Sequence, residues 1–447
     1  MNVLVLGAGQ VGLGVAHRLK DQGIDVTVIE KSSELVFGIR NSSDINIVHG
    51  NALDIEVLKN ANAENSTHLI ACMSDDERNI LACKLAGALF NIGTKIARIR
   101  SHLFFYKDTS ELFLRDNFEI DLLIHPELEV AKHISNVASV NGALDLIKFG
   151  RVIVVCLKCK DNTEILNTTF KHFQSITSLR LFVLTITRNE TTFFPSSGDF
   201  LLPEDEVYIA TVADDLEEVM ILFGYSPREQ NFLVVGGGNI GSFAVQAISE
   251  NNSNPRITLL EKSQQRAEII AQQYPHVTTI LGDALNYNFL KDVVSNIDTA
   301  IVATGCDETN VLTSLLIKRL KVDRILTLAK SRNYDLLLPT NFGHSIIDPT
   351  AIAMDNIMQM AHLRNIVFTV QLRNSLACVV KVNINESCSY LNEKIEFLYE
   401  KDATVPVFIL RNNEVISARK DERLELNDQV IIIVLKNKIK HFLNKIA

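Results

Sequence analysis

Cysteine is sparse and unframed in this sequence. Seven residues in 447 are scattered without a recurring spacing, which excludes a disulfide scaffold and points to a reducing, cytosolic compartment. The single C-x-x-C, Cys156 and Cys159, lies in Val152–Lys160, a stretch that reads as a strand. Residues three apart on a strand point to opposite faces, so the two sulfurs would not converge on a metal, and no second pair completes a ligand set. Positive charge is also short. Forty-four Lys and Arg against 53 Asp and Glu leave a formal net charge of −9, whereas a partner held by phosphate neutralisation calls for a basic excess or a basic face. No nucleic-acid partner is expected, and the one basic stretch, Lys436–Lys445, reads as the solvated face of a last helix. Long apolar runs are missing too. Met1–Leu19 has no Lys or Arg ahead of its apolar run and no small-residue cleavage site after it. Phe232–Ile248 is short for a span and carries Gly236, Gly237, Gly238, Asn239, Gly241 and Gln246. Both read as a buried strand, a glycine turn and a helix start, so any membrane association would run through a partner.

What is present is a duplication. Val3-Leu4-Val5-Leu6-Gly7-Ala8-Gly9-Gln10-Val11-Gly12 recurs as Phe232-Leu233-Val234-Val235-Gly236-Gly237-Gly238-Asn239-Ile240-Gly241, and Val26–Ser32 recurs as Ile257–Ser263. Gly50–Asp54 matches Gly282–Asn286, Asp76-Glu77-Arg78-Asn79 matches Asp307-Glu308-Thr309-Asn310, and Leu123–Pro126 matches Ile346–Pro349. The likeness continues through Arg188-Asn189-Glu190 and Arg411-Asn412-Asn413-Glu414, which sit between apolar runs as hairpin turns do, and through Glu204–Val207 and Asn427–Val430. Two copies of one unit account for essentially the whole chain. Each unit reads as an α/β doubly wound, Rossmann-like parallel-sheet domain followed by a small α/β (βαββα) domain, with boundaries at 1–125, 140–225, 229–348 and 363–447. In the first copy the strands expected are Asn2–Leu6, Asp25–Ile29, Asn46–Val48, Leu69–Met73, Lys95–Ile99 and Leu122–Ile124, with a linker helix over Glu127–Val137. The small domain is expected to run as strand Val152–Leu157, helix Ile165–Phe173, strands Arg180–Thr187 and Glu206–Thr211, and helix Leu216–Leu222.

A lone G-x-G-x-x-G is a weak signal, but here it occurs twice, each time after an apolar strand and opening a helix. In that context the first glycine allows the tight turn, the second lets the backbone approach a pyrophosphate, and the third lets helix and strand pack closely. The phosphates then sit at a helix N-terminus, so no lysine is needed, and neither loop has one. Glu30 and Glu261 end the second strand of each copy, where a carboxylate accepts ribose hydroxyls and repels a 2′-phosphate. That points to NAD(H) or an adenine nucleotide such as ATP or ADP over NADP(H), although Lys31 and Lys262 stand beside them. Asn51 and Asp283 follow the third strand, where a small polar side chain can reach the adenine edge, and Met73-Ser74 and Thr304-Gly305 close the fourth. The acidic runs Asp75-Asp76-Glu77 and Asp307-Glu308 precede helices and read as caps rather than a catalytic cluster. No catalytic or metal site is expected: there is no Walker-type G-K-[ST], no H-E-x-x-H and no G-x-S-x-G, and His172 has no counterpart in the second copy. A sensor is the first reading, and an NAD-dependent dehydrogenase with a duplicated cofactor domain is the alternative.

The order of Gly7–Gly12, a strand-terminal Glu, the Asp-Glu-x-Asn stretch, Ile96-Ala97-Arg98-Ile99-Arg100-Ser101 and a following small domain, all duplicated, resembles the TrkA family across the full chain. These are tandem RCK (KTN plus C-terminal) proteins of bacterial Trk potassium uptake systems. The resemblance implies a non-enzymatic, cytoplasmic subunit on the inner face of the membrane. It implies a homotetrameric ring beneath a potassium-translocating membrane subunit of the TrkH/TrkG kind, gated by nucleotide. Carried over by position, the first site comprises Gly7, Ala8, Gly9, Gln10, Val11, Gly12, Glu30, Asn51, Met73, Ser74 and Arg98. The second comprises Gly236, Gly238, Asn239, Ile240, Gly241, Glu261, Asp283, Thr304 and Gly305. The copies diverge at one edge: Arg98 corresponds to Leu328 and Arg100 to Lys330. An arginine there can pair with phosphate, so the first site is expected to hold the phosphate-rich ligand more tightly.

Overall fold

The computed structural model describes all residues except 1, 22, 102–119, 162, 164, 173–176, 190, 228, 229, 253, 331–333, 335–343, 361–365, 373–375, 387, 401, 402 and 447. The expected positions Phe173 and Glu190 and the boundaries at 1, 229, 363 and 447 lie outside the described residues. The apolar runs of the first copy become β1 (Asn2–Leu6), β2 (Asp25–Glu30), β3 (Asn46–His49), β4 (His68–Ala71), β5 (Thr94–Arg98) and β6 (Leu122–Ile124). They form one parallel sheet in the order β3-β2-β1-β4-β5-β6. Leu4, Leu6, Leu69 and Ile70 are fully buried because helices cover both faces, as near-continuous apolar strands require. The order reverses between β1 and β4, which opens a crevice at the carboxyl ends of those strands, where the first glycine loop lies. β4 ends two residues before Met73, short of the expected strand end, because a side chain rather than a neighbouring strand holds the Met73 backbone.

The first small sheet contains β7 (Asp145–Phe149), β8 (Val152–Lys158), β9 (Leu181–Arg188), β10 (Thr191–Phe193) and β11 (Glu206–Val212), antiparallel in the order β10-β9-β11-β8-β7. Two of these strands were not expected. β7 pairs with β8 across a tight turn in which Gly150 adopts φ +62°, and β10 returns from β9 through Asn189 at φ 49°. The helix expected over Ile165–Phe173 is a correction. Residues 165–169 form turns and bridges, Leu166 to Leu201 and Thr169 to Phe200, and only 170–172 are helical. Asn167 is left-handed (φ 58°) and two threonines follow it, a combination that disfavours a helix interior. The helix Leu216–Leu222 forms as expected.

The second copy repeats both sheets. β12 (Asn231–Val235), β13 (Arg256–Glu261), β14 (Thr278–Leu281), β15 (Thr299–Val302), β16 (Arg324–Leu328) and β17 (His344–Ile347) take the order β14-β13-β12-β15-β16-β17. β18 (Ile366–Gln371), β19 (Ala377–Asn383), β20 (Thr404–Arg411), β21 (Glu414–Ser417) and β22 (Gln429–Leu435) take the order β18-β19-β22-β20-β21, and helix Ile439–Ile446 follows. The two small sheets share a core between them, with Phe182 set edge-on to Phe408 at 5.1 Å and Tyr208, Ile431 and Ile433 buried alongside. Cys156 faces this inter-sheet core and Cys159 the opposite one, so the C-x-x-C sulfurs do point apart.

The linker helices are exchanged between repeats. The first linker, Pro126–Ser139, packs on helix Asn239–Asn251 of the second nucleotide domain, and the second linker, Pro349–Met360, packs on helix Gln10–Asp21 of the first. A Cβ on Gly14 would lie 2.0 Å from the sulfur of Met354, so the Met354 side chain lies in the space that glycine leaves. Arg18 pairs with Asp355 across the same contact. Arg324 of β16, 4% exposed, donates to the carbonyls of Val137, Ala138 and Val140, where the negative end of the first linker answers its charge.

The two recurring hairpin motifs meet as an ionic latch in each small domain. Arg188 Nε donates to Asp205 at 2.8 Å and Arg411 Nε to Asp428 at 2.9 Å, each with a second bond from Nη2. The carboxylates are almost wholly buried and also accept the N–H of Leu202 and Glu425. Removing the cation leaves a buried charge unpaired, so Arg411→Met should destabilise the protein by about 3–5 kcal/mol in urea unfolding. Arg411→Met combined with Asp428→Leu should recover part of that loss, because the uncompensated charge is then gone.

Candidate functional site

The three glycines of each loop carry three different constraints. Gly7 and Gly236 adopt φ +97° and +103°, turning the chain back so that their N–H groups donate to Ile29 O at 2.8 Å and Leu260 O at 2.9 Å. A Cβ on Gly12 or Gly241 would stand 2.0 or 1.9 Å from the carbonyl oxygen of Gly7 or Gly236, so the helix can approach the strand only with hydrogen there. A Cβ on Gly9 or Gly238 would meet nothing within 4 Å. The fold does not need glycine at that middle position. The open space above it does, if a pyrophosphate is to rest on the backbone.

Glu30 and Glu261 are 8% and 5% exposed and do more than face a ribose. Glu30 Oε2 accepts the N–H of Ala8 at 2.7 Å and Oε1 that of Ser32 at 2.9 Å. Glu261 takes Gly237 N–H at 2.6 Å and Ser263 N–H at 2.8 Å in the same way. Each carboxylate thus clamps its glycine loop and keeps lone pairs for further donors. Asn51 and Asp283 are exposed, and each turns its own loop by accepting the N–H of Leu53 or Leu285.

The Asp-Glu-x-Asn stretches are the machinery that sequence reasoning underestimated. Asp75 caps its helix through Arg78 N–H, as expected, but Asp76 accepts the N–H groups of Arg100 and Ser101 at 2.8–3.1 Å, and Asp307 accepts that of Lys330 at 2.8 Å. Asn79, fully buried, holds Met73 N–H at 2.9 Å and donates to Arg98 O at 2.8 Å. Asn310 repeats this with Thr304 N–H at 2.8 Å and Leu328 O at 2.9 Å. These side chains stitch the ends of strands four and five together at the crevice. The recurrence of Asp and Asn marked them, but their partners come from the next strand and have no local signal.

Two cavities, of about 570 and 850 Å³, lie over the two loops, within the range that holds a nucleotide-sized ligand. Gly7, Gly9, Gln10, Val11, Glu30, Asn51, Met73, Ser74 and Arg98 line the first, while Ala8 and Gly12 sit behind its wall. Gly236, Gly238, Asn239, Ile240, Glu261, Asp283, Thr304 and Gly305 line the second, with Gly241 behind. The expected residues therefore converge in two places. Each cavity also receives the other repeat: Ile240, Thr304, Gly305, Leu328, Lys330 and Thr350 reach the first, and Glu127 reaches the second. The pKa of Arg98 is depressed from its ordinary value by burial and by Arg100, and its buried Nε has no hydrogen-bond partner among the described residues. No metal-holding group of His, Cys, Asp and Glu occurs among the described residues, and no helix among them is long and apolar enough to cross a membrane.

Residues 3–125 and 232–349 both match the TrkA-N domain family. The Trk system potassium uptake protein TrkA of Azorhizobium caulinodans is 27% identical over 98% of this chain and 97% of its own length. That of Haemophilus influenzae is 26% identical over 98% and 96%. Among solved structures, the GsuK channel bound to NAD aligns over 99% of this chain and 78% of its own, with a TM-score of 0.62 and 16% identity. The GsuK RCK domain aligns over 99% and 95%, with a TM-score of 0.60 and 15% identity. These two likenesses show the fold: tandem Rossmann-like domains, each with its small α/β companion.

The glycine constraints separate by measurement. Gly12→Ala forces a Cβ into backbone and should lose about 1–3 kcal/mol of stability, whereas Gly9→Ala should stay within about 0.5 kcal/mol of the parent in thermal melts without ligand.

Proposed function

The chain belongs to the TrkA-N domain family, and we propose that it is the nucleotide-binding regulatory subunit of a potassium uptake system. The observation that carries this reading is a matched pair of cavities, each with open space over its middle glycine and a buried carboxylate at the end of its second strand. NAD(H), and with it ATP or ADP, fits such a site: the loop N–H groups take the pyrophosphate, Glu30 or Glu261 the ribose, and Asn51 or Asp283 the adenine edge. A 2′-phosphate would meet a carboxylate whose position is fixed by two backbone N–H groups, which disfavours NADP(H).

The protein acts as a switch rather than an enzyme. The side chains that recur in both cavities hold backbone or line the open space over the loops, and among the described residues no acid–base pair recurs beside the loops, which supports sensing over hydride transfer. Its partner is the membrane potassium-translocating subunit, of the TrkH/TrkG kind, and it works as a homotetrameric ring on the cytoplasmic face of the membrane. The relatives named for Trk potassium uptake along their whole length support this assignment. The exchanged linkers supply the coupling. Each begins at a cavity and ends at a small domain, so a ligand that prefers one linker position by about 1–3 kcal/mol shifts the whole assembly.

Calorimetry with NADH, NAD, ATP, ADP and NADPH on the purified protein tests this, with dinucleotide turnover followed alongside. The expected result is binding of NADH and adenine nucleotides, weak NADPH binding and no turnover. Steady cofactor oxidation with an added metabolite would instead support the dehydrogenase reading, and binding of none of the five would remove the nucleotide-sensing one.

A further inference from the structure

The two cavities are built from the same loop but receive different charged side chains from the opposite repeat, Lys330 and Asp307 in the first and Glu127 in the second. The second linker brings Thr350 to the first cavity, and the corresponding residue of the first linker, brought to the second cavity, is Glu127. The first cavity holds Arg98 and Arg100 from its own repeat and Lys330 and Asp307 from the other, while the second holds Lys262 and Arg266 from its own. The second has Leu328 in place of Arg98, and Leu328 does not line it. Glu127 lines both cavities, but on the first side Arg98 answers its charge, whereas on the second it faces the loop residues Gly236–Gly238, Asn239 and Ile240. Burial works against the ionised form of Glu127, yet His125, its own backbone N–H and Arg98 outweigh that and keep the carboxyl below its ordinary range. It is therefore ionised at neutral pH.

Resting on the nucleotide-binding reading above, we propose that Glu127 and Lys330 are specificity-determining residues traded between the repeats. Lys330 makes the first site the one for polyphosphate nucleotides. Glu127 makes the second site reject a nucleoside triphosphate while accepting a dinucleotide. The physical reason is where charge falls along the ligand. With the adenosine end fixed by Glu261 and Asp283 and two phosphates on the loop, a third phosphate continues past Gly238 towards Asn239, Ile240 and the Glu127 carboxylate. A dinucleotide places a second ribose there, whose hydroxyls donate to a carboxylate. In the first cavity the same extension meets Arg98, Arg100 and Lys330. The two sites then report different ligands to the same pair of linkers.

ATP and NADH binding to the full-length chain is measured by calorimetry in two backgrounds. Gly238→Asp leaves only the first site open, and Gly9→Asp leaves only the second. Adding Glu127→Gln to Gly9→Asp should strengthen ATP binding about tenfold, the scale of one like-charge contact removed, and leave NADH binding no stronger. A gain of this kind cannot arise from a misfolded variant. Adding Lys330→Gln to Gly238→Asp should weaken ATP binding about tenfold. ATP affinity unchanged by Glu127→Gln, or NADH and ATP strengthened equally, overturns the proposal for the second site. ATP affinity unchanged by Lys330→Gln overturns it for the first. If the unsubstituted chain binds neither ligand, the nucleotide-binding reading itself falls, a result distinct from all of these.

Discussion

Each linker helix lays part of its apolar face across the other repeat's nucleotide domain, and the rest of the molecule is arranged around that exchange. Ala353, Ile357 and Met358 of the second linker belong to the same core as Val11 and Val15 beside the first glycine loop. Val130, Ala131, Ile134 and Val137 of the first linker share a core with Ala244, Val245 and Ile248 beside the second. Neither half closes its own hydrophobic surface. The Met354 side chain fills the space beside Gly14, and Arg18, Asp355 and Arg324 fix polar contacts across the repeats that water would otherwise satisfy.

On the function proposed above, this exchange is what would tie binding to shape. A linker that starts at a cavity wall and ends against a small sheet cannot shift at one end while the other stays, because the packed interior between them has no slack. The small sheets in turn pack face to face through Phe182 and Phe408, which joins the two repeats a second time. The Arg188–Asp205 and Arg411–Asp428 latches tie the end of one strand in each small domain to the residue that leads into its central strand.

Much of the site was readable because its parts are local. A glycine triplet, a strand-terminal Glu and the following helix lie within about 25 residues of one another, the extent of a single strand–helix–strand unit, and duplication marked them twice. The acidic runs were only half understood. Asp75 caps a helix, as a reading of local sequence allows, but Asp76 and Asn79 serve the end of β5, and nothing near them in sequence names that partner. The missed strands β7 and β10 are short edge strands, and the helix expected at Ile165–Phe173 yielded to Asn167 and to long-range bridges with Leu201 and Phe200.

The sequence by itself determined the two-unit organisation, the parallel-sheet class and the loop chemistry. Those depend on backbone conformation, on hydrophobic period and on residues a few positions apart, which are properties of each segment alone. Only the tertiary structure decided which repeat completes which cavity. That depends on how each linker helix packs on the other repeat, Pro126–Ser139 on Asn239–Asn251 and Pro349–Met360 on Gln10–Asp21. It puts Lys330 into the cavity built around Gly7–Arg100, more than 200 residues away along the chain, and Glu127 into the cavity built around Gly236–Thr309, more than 100 residues away. Packing geometry between distant segments leaves no periodic trace in either one, and so the charge difference between the sites became visible only in three dimensions.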